Sequence, residues 1–164
     1  MERRLLVLRH AKSSWAESHI DDWDRPLNDR GRRDAPNVGR LLRRLSLVPD
    51  FIISSDAVRA ETTARLVAEA AGYTGPIVLA PSLYHAAPGA IIDVLREAPA
   101  PDARAIMIVA HNPGLEDLVS QLTGDHVSLP TAALVNLALP VQDWSGLEQT
   151  TDATLIDIWR PAEL

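Results

Sequence analysis

Cysteine is absent from the sequence, which excludes disulfide bonds, thiolate catalysis and thiolate metal ligands. Long apolar runs are also missing: the stretch at 5–8 leads directly into charge and is typical of neither a signal peptide nor a membrane span. Positive charge is not in excess, because 16 Lys and Arg residues stand against 22 Asp and Glu residues. The net charge of -6 argues against binding to nucleic acid or to an anionic membrane. These absences predict a cytoplasmic protein without a nucleic-acid or membrane partner.

The composition is that of an ordinary globular protein. The 164 residues are 46% hydrophobic and 23% charged, which fits one domain with a sizeable core. No internal repeat, long linker or low-complexity tract divides the chain, so we expect a single domain over residues 1–164. Because the net charge is negative, any site for an anion has to be a local pocket.

Short apolar stretches alternate with amphipathic ones along the chain. The pattern predicts strands at about residues 4–8, 51–53, 77–79, 105–110, 132–139 and 153–159. It predicts helices from about residue 28 or 29 to 45, over 57–71, at about 89–97 and at about 113–122; Pro36 disturbs the first and Gly72 closes the second. Such alternation is typical of βαβ units. We therefore expect an α/β fold, a three-layer α/β/α sandwich around a mostly parallel central sheet, with the final strand near an edge.

Charged and imidazole side chains follow three of the predicted strands, at the point where each strand ends. Arg9 and His10 directly follow the first strand, Arg59 lies just past the second, and His111 follows the strand at 105–110. Arg and His are poor choices for a plain structural turn. In a parallel sheet these turns open on the same edge, so side chains distant in sequence can converge there. The sequence therefore predicts one site that contains two arginines and two histidines.

Arg59 falls in the first turn of its predicted helix. The helix macrodipole disfavours a cation there by roughly 0.3–1 kcal/mol, and a ligand anion at that terminus would remove the conflict. The alternative is a structural Arg59 that pairs with Asp56 or Glu61.

His111 is followed by Asn112, a good N-cap residue, and by Pro113, a good first helical residue. Backbone N–H groups at that helix terminus would then point toward whatever His111 contacts, and amides beside an imidazole form an anion cradle. The alternative is a structural histidine whose hydrogen bonds are satisfied by the fold.

Two arginines, two histidines and a helix amino terminus together fit a tetrahedral oxyanion, and we expect a phosphoryl group. The sequence contains neither a P-loop nor a glycine-rich dinucleotide fingerprint after the first strand. It also has no histidine or carboxylate constellation with metal-binding spacing. We therefore expect chemistry without a metal or a cofactor, in which arginines neutralise the charge.

Four stretches carry these residues: Leu-Arg-His-Ala-Lys-Ser at 8–13, Arg-Pro-Leu-Asn-Asp-Arg-Gly at 25–31, Ser-Ser-Asp-Ala-Val-Arg-Ala-Glu-Thr-Thr-Ala at 54–64 and Ala-His-Asn-Pro-Gly-Leu at 110–115. In their order and spacing, from residue 5 to about residue 120, they resemble the histidine phosphatase superfamily. The similarity is greatest to its short SixA-type phosphohistidine phosphatases. The resemblance implies a phosphoglycerate-mutase-like fold and a phosphatase that works through a phosphohistidine intermediate.

The resemblance also implies a role for each matched residue. His10 would be the nucleophile that attacks phosphorus in line, after which water hydrolyses the phosphorylated His10. The attack requires a neutral imidazole, which the neighbouring charges of Arg9 and Arg59 favour. Arg9, Arg59 and His111 would hold the equatorial oxygens in the transition state. The expected phosphate-binding residues are Arg9, His10, Ser13, Arg59, His111 and Asn112.

The sequence departs from the family pattern in two places. Ala11 replaces the usual glycine after the first histidine, a variation that SixA-like members accept. Relatives commonly read Leu-Tyr-Glu where a general acid is found, whereas this chain reads Leu-Tyr-His at 83–85. His85 could donate the proton, because imidazoles titrate near neutrality, or it could be an ordinary loop residue. The alternative acids lie on the polar loop after the first strand and are Asp21, Asp22 and Asp24.

The absence of the glutamate that relatives carry at the position of His85 bears on the choice of substrate. An alkoxide leaving group needs a good acid, whereas the imidazole of phosphohistidine leaves readily once protonated. We therefore expect the substrate to be a phosphorylated protein that carries phosphohistidine, with a small phosphorylated metabolite as the alternative. Two further candidate functions are a phosphoglycerate-mutase-like transferase and a module that binds phosphate without turnover. Trp15 and Trp23 flank the polar loop and could contact substrate or pack within the loop.

Overall fold

The computed structural model describes residues 2–163, and within that range six strands form one sheet in the order β3-β2-β4-β1-β5-β6. The strands are Arg3–Arg9 (β1), Phe51–Ser54 (β2), Ile77–Leu79 (β3), Ala105–Ala110 (β4), Leu134–Leu139 (β5) and Thr154–Trp159 (β6). The α-helices are Asp29–Arg44 (α1), Val58–Ala71 (α2), Pro88–Arg96 (α3) and Gly114–Thr123 (α4). None of the helices in this range combines the length and the apolar character that crossing a membrane requires.

Of the six strands described, five run in the same direction. β1 pairs in parallel with β4, β4 with β2, and β2 with β3. β5 is antiparallel to both of its neighbours, β1 and β6. The expectation of a mostly parallel sheet is confirmed, and β6 lies at the predicted edge.

Alternate residues of β1 face opposite sides of the sheet, as the two-residue repeat of a strand requires. Leu5 and Val7 join a core with the buried residues of α3 and α4, whereas Leu6 and Leu8 join a second core with those of α1 and α2. All four side chains are fully buried, and each such burial contributes roughly 1.5–3 kcal/mol. The three-layer α/β/α sandwich is therefore confirmed, with one pair of helices on each face.

The helix boundaries follow local sequence signals. Asn28 is the N-cap of α1, and its Oδ1 accepts a hydrogen bond from the Gly31 amide at 2.9 Å. The helix continues through Pro36 to its end, so the proline does not interrupt it. Gly72 ends α2 in the left-handed conformation, with a φ of 75° that glycine adopts without steric cost.

β2, β4 and β1 lie side by side in the middle of the sheet, so their carboxyl ends are adjacent. Arg9 is in register with Ala110, and Ser54 is in register with Val109. This arrangement brings His10 and the residues after β4 and β2 to the same edge, as predicted for a parallel sheet.

Candidate active site

A cavity of about 190 Å³ opens at this edge of the sheet. Its lining residues are Arg9, His10, Lys12, Ser13, Trp15, Arg25, Arg59, His85, His111, Asn112 and Thr131. The seven residues predicted from the sequence, which are the six that we expect to bind phosphate and His85, the candidate proton donor, are all among these lining residues. A larger cavity of about 250 Å³ lies at the opposite edge, beside the beginning of β1, and contains none of the seven.

His10 directly follows β1 and is only 7% exposed. Its Nδ1 lies 2.7 Å from the carbonyl oxygen of Ala11. Because a carbonyl oxygen can only accept a hydrogen bond, Nδ1 carries the proton of the neutral ring and Nε2 keeps its lone pair. Nε2 is therefore the atom that can attack phosphorus.

The pKa of His10 is lowered to about 4. Burial is the largest cause, the hydrogen bond to Ala11 opposes it, and the charges of Arg59, Arg9 and Arg25 add to it. The ring is therefore neutral at physiological pH, which is the form that a nucleophile needs. The neighbouring arginines act in the predicted direction, but desolvation contributes more than they do.

His111 follows β4, and its ring centroid lies 5.2 Å from that of His10. Its Nε2 is 2.8 Å from Oγ of Ser55, and that oxygen accepts a hydrogen bond from the Ala57 amide at 3.2 Å. Burial, followed by the charges of His10 and Arg59, lowers the pKa of His111 to about 3. Its Nδ1 is buried and has no hydrogen-bond partner among the described residues. The Ser55 hydroxyl can donate to Nε2 while it accepts from Ala57, and the proton of the neutral ring then lies on Nδ1, where it can be donated to an oxyanion.

Arg9 is the last residue of β1. Its Nη1 donates to the carbonyl of Leu129 at 3.0 Å, and its Nε is buried without a hydrogen-bond partner in the part of the chain that the structure describes. Burial lowers the pKa of Arg9, while the nearby Glu116 carboxylate opposes this change. The guanidinium group belongs to a residue that lines the cavity, where its charge suits a phosphoryl oxygen.

Arg59 lies in the first turn of α2, as predicted, and its side chain is 5% exposed. Its partner is Asp22 rather than Asp56 or Glu61, the two carboxylates nearest to it in sequence. Arg59 Nη2 donates to Asp22 Oδ2 at 2.9 Å, and Nη1 donates to the Asp22 carbonyl at 2.6 Å. The polar loop after β1 is therefore tied directly to the start of α2.

Asp22 connects two arginines and a tyrosine beside the cavity. Its Oδ1 accepts from Arg25 Nη1 at 2.9 Å, and its Oδ2 accepts from Arg59 and from the Tyr84 hydroxyl at 2.6 Å. Burial alone would raise the pKa of Asp22, but hydrogen bonds from Tyr84, Arg25 and Arg59 lower it well below its usual range. Asp22 is therefore held as a carboxylate that positions the arginines, and in this arrangement it has no proton to donate.

Arg25 is a site residue that the sequence analysis missed. It is 8% exposed, its Nε donates to the Ser14 carbonyl at 3.2 Å, and its Nη2 donates to Ser13 Oγ. Its guanidinium carbon lies 3.2 Å from the ring centroid of Trp15. Its place in the motif at 25–31 was the available signal. Periodicity offered none, because an irregular polar loop has no repeat that distinguishes a buried charge from an exposed one.

Asn112 lines the cavity, but its side chain is engaged elsewhere. Nδ2 donates to Glu116 Oε2 at 3.0 Å and to the Leu129 carbonyl at 2.9 Å, and Oδ1 accepts from the Glu116 amide at 3.2 Å. Both amide protons are in use, so the expectation that this side chain binds phosphate is corrected. Asn112 instead joins α4 to the segment at Leu129, whose carbonyl also accepts a hydrogen bond from Arg9.

The first turn of α4 also differs from the expectation. The helix begins at Gly114 rather than at Pro113. The amide of Leu115 donates to the His111 carbonyl at 3.1 Å, and that of Glu116 donates to Asn112. These amides therefore satisfy their own loop, and the predicted cradle of helix N–H groups is not formed by them.

His85 stands at the mouth of the cavity with its side chain 60% exposed. Its Nε2 lies 3.6 Å from Asp22 Oδ2, and its ring centroid is 5.9 Å from that of His111. Its backbone is left-handed, with a φ of 54°, a conformation that costs a residue other than glycine of order 1 kcal/mol. The structure thus places the proposed proton donor beside the site, in a strained turn.

Positive charge at the cavity comes from side chains. Arg9, Lys12, Arg25 and Arg59 all line it, and Asp22 compensates part of their charge. Among residues 2–163, no group of three or more His, Asp or Glu side chains is arranged to hold a metal ion.

A three-layer α/β protein that holds a neutral, buried histidine among arginines is suited to bind a tetrahedral anion against an imidazole. The model of the histidine phosphatase superfamily (branch 1) matches residues 5–91. The chain belongs to the histidine phosphatase superfamily.

Known proteins of this kind resemble most of the chain. An uncharacterised chloroplast protein of Arabidopsis thaliana is 36% identical over 139 residues, which cover 80% of this chain and 64% of that protein, just under two thirds of its length. An uncharacterised protein of Mycobacterium leprae is 30% identical over 136 residues, 81% of each chain. A crystal structure described as the putative phosphohistidine phosphatase SixA of Agrobacterium tumefaciens superposes with a TM-score of 0.82 at 27% identity, over 97% of this chain and 98% of that chain. The predicted resemblance to SixA-type members is confirmed.

Proposed function

We propose that this protein is a metal-independent phosphatase that removes the phosphoryl group from phosphohistidine on a protein, through a phosphohistidine intermediate on Nε2 of His10. The observation that carries the proposal is the state of His10. The ring is buried and neutral, its Nδ1 is bound to the Ala11 carbonyl, and its Nε2 is left to attack. Arg9, Arg25 and Arg59 line the same cavity.

The reaction has two steps. In the first, Nε2 of His10 attacks phosphorus while the bond from phosphorus to the substrate imidazole breaks, and that imidazole leaves with a proton. In the second, water attacks the phosphorus, the bond to Nε2 breaks, and inorganic phosphate and neutral His10 are formed. Arg9, Arg59 and His111 hold the equatorial oxygens, and their fixed positions mean that little reorganisation is needed as charge shifts in the transition state.

The position of His85 supports a role for it as the proton donor. In-line displacement puts the leaving group on the side of phosphorus opposite to Nε2 of His10, and His10 is the buried partner while His85 is exposed at the mouth. Asp22 cannot serve in the observed arrangement because its hydrogen bonds keep it ionised. An imidazole leaving group needs less help from an acid than an alkoxide does, which supports phosphohistidine as the substrate.

The deciding experiment compares phosphate release from a histidine-phosphorylated carrier protein, a phosphosugar and an aryl phosphate, each at the same enzyme concentration and in the presence of EDTA. We expect the carrier protein to react fastest. His10→Ala should abolish release, whereas the matched control His126→Ala should keep it, since His126 lies outside the cavity and contacts Ser120 at 3.1 Å. Acid-labile phosphate should be trapped on the wild-type chain and not on His10→Ala.

Three other outcomes would contradict the proposal, and two of them would identify a different function. Faster reaction with the phosphosugar or the aryl phosphate would identify a small-molecule phosphomonoesterase. Tight phosphate binding without release from any substrate would identify a binding module. Activity that EDTA removes would contradict the metal-independent mechanism.

A further inference from the structure

Trp15 is the most exposed of the large hydrophobic side chains in the described part of the chain, yet it lines the cavity that contains His10. It is 72% exposed, whereas most large apolar side chains of this protein are buried in the two cores. We infer that Trp15 is a docking contact for the protein that carries the phosphorylated histidine, and that Arg25 holds its ring in place. The inference rests on the proposed function and extends it to how the substrate protein is recognised.

The backbone beside Trp15 is fixed on its amino-terminal side. Ser13 forms an antiparallel bridge with Leu27, and the Ser14 amide donates to the Pro26 carbonyl at 2.8 Å. Trp15 follows directly, so its Cα position is set by the same pairing that closes the polar loop. An exposed aromatic side chain on a fixed backbone loses little freedom when a partner binds it.

The ring itself is held by a buried cation. The guanidinium carbon of Arg25 lies 3.2 Å from the ring centroid, within the range of a cation–π contact. Arg25 is in turn fixed by Asp22 at 2.9 Å, by the Ser14 carbonyl and by Ser13. One face of the indole is thus covered by an immobile side chain, and the large exposed fraction means that the rest of the ring is open to a partner.

The geometry of the reaction determines what reaches this ring. The leaving group points away from buried His10, toward the mouth, and a cavity of about 190 Å³ accommodates little beyond the phosphoryl group and the imidazole. The remainder of a substrate protein therefore lies over the rim, where the exposed side chain of Trp15 stands. Trp and Arg are among the residue types that most often dominate protein–protein contacts, especially where they are ordered before binding.

The test measures kcat and KM for a histidine-phosphorylated carrier protein and for phosphoramidate, which offers a P–N bond without a ring or a protein. In Trp15→Ala, the ratio of kcat/KM for the carrier protein to kcat/KM for phosphoramidate should fall about tenfold, through a higher KM for the carrier. Trp15→Phe should recover most of the ratio. The matched control is Ile156→Ala, which removes an exposed apolar side chain of β6, 45% exposed and outside the cavity, and should keep the wild-type ratio.

Two results would overturn the docking role while leaving the proposed function intact. One is a kcat/KM that stays at the wild-type value for both substrates in Trp15→Ala. The second is an equal loss on both substrates, which would mean that Trp15 supports the cavity through Arg25 rather than contacting the protein. A wild-type enzyme that hydrolyses phosphoramidate but not the phosphorylated carrier would contradict the proposed function as well as this inference.

Discussion

Acidification should protonate His10 only near pH 4, because its pKa is lowered to about 4 from the ordinary value of 6.5. That difference corresponds to about 3 kcal/mol, at roughly 1.4 kcal/mol for each pH unit. At pH 5.5 about 97% of His10 would then still be neutral, whereas about 90% of an ordinary imidazole would be protonated. The proposed nucleophile therefore stays neutral across a pH range in which most of an exposed histidine would be protonated.

The same pKa has a consequence for stability. The unfolded chain binds a proton at this residue near pH 6.5, but the folded protein does so only near pH 4, so protonation favours unfolding. The free energy of unfolding should therefore decrease as the pH falls from about 6.5 toward 4, by roughly 1.4 kcal/mol per pH unit from His10 alone. His111, whose pKa is lowered to about 3, adds a decrease of the same sign.

NMR of histidine-labelled protein measures this titration directly. The Cε1–H resonance that disappears in His10→Gln belongs to His10, and its chemical shift should change near pH 4. Urea unfolding at pH 7 and pH 5 should show a smaller dependence on pH in His10→Gln than in the wild type. A His10 resonance that titrates near pH 6.5 would refute the account of a buried nucleophile kept neutral by desolvation.

Three further substitutions test the rest of the site. Asp22→Asn removes the carboxylate that joins Arg25 to Arg59. We expect the free energy of unfolding, measured with urea, to fall by about 1 kcal/mol, a modest loss because Asp22 is partly exposed. Inorganic phosphate should become a tighter competitive inhibitor, because the cavity gains net positive charge. An unchanged inhibition constant would contradict the charge argument. Gly114→Ala would place a Cβ against the Ala86 carbonyl oxygen, well inside van der Waals contact, so the backbone beside His85 must move, at a cost of about 1–3 kcal/mol in unfolding free energy. A Gly114→Ala variant as stable as the wild type would contradict this expectation, because it would show that the backbone at Ala86 moves without cost. His85→Gln should slow alkyl phosphates more than dinitrophenyl phosphate, whose leaving group needs no proton, and an equal effect on both would remove His85 as the donor.

The regular part of the fold could be predicted from the sequence because buried residues recur at the spacing of a helix or form the short apolar run of a buried strand. The runs at 5–8 and Ala105–Ala110 are apolar on both faces, as strands covered by helices on each side must be. With these strands parallel, the convergence of His10 and His111 follows, since parallel strands end at the same edge. The start of α1 near residue 28 and the end of α2 at Gly72 depend on equally local signals, and both are predicted correctly.

The parts that were missed depend on which partners the polar side chains find in the folded chain. Asn112 has the local pattern of an N-cap, but Glu116 and the segment at Leu129 compete for its side chain. In the sequence, Asp22 is one of several aspartates in a polar loop that could serve as an acid, and only the folded chain shows that Arg25 and Arg59 hold it ionised. Irregular loops carry no repeat that distinguishes such roles, so their chemistry is decided by tertiary contacts.

The cavity is assembled from the ends of three central strands together with the loop that precedes α1, so it exists only while the sheet is intact. An oxyanion that fits it binds the native chain and not the denatured one, and mass action then raises the melting temperature. At a hundredfold excess over the dissociation constant, the gain is about 2.7 kcal/mol. A thermal-shift series of oxyanions and phosphorylated compounds can therefore rank candidate substrates and inhibitors before turnover of any of them has been observed.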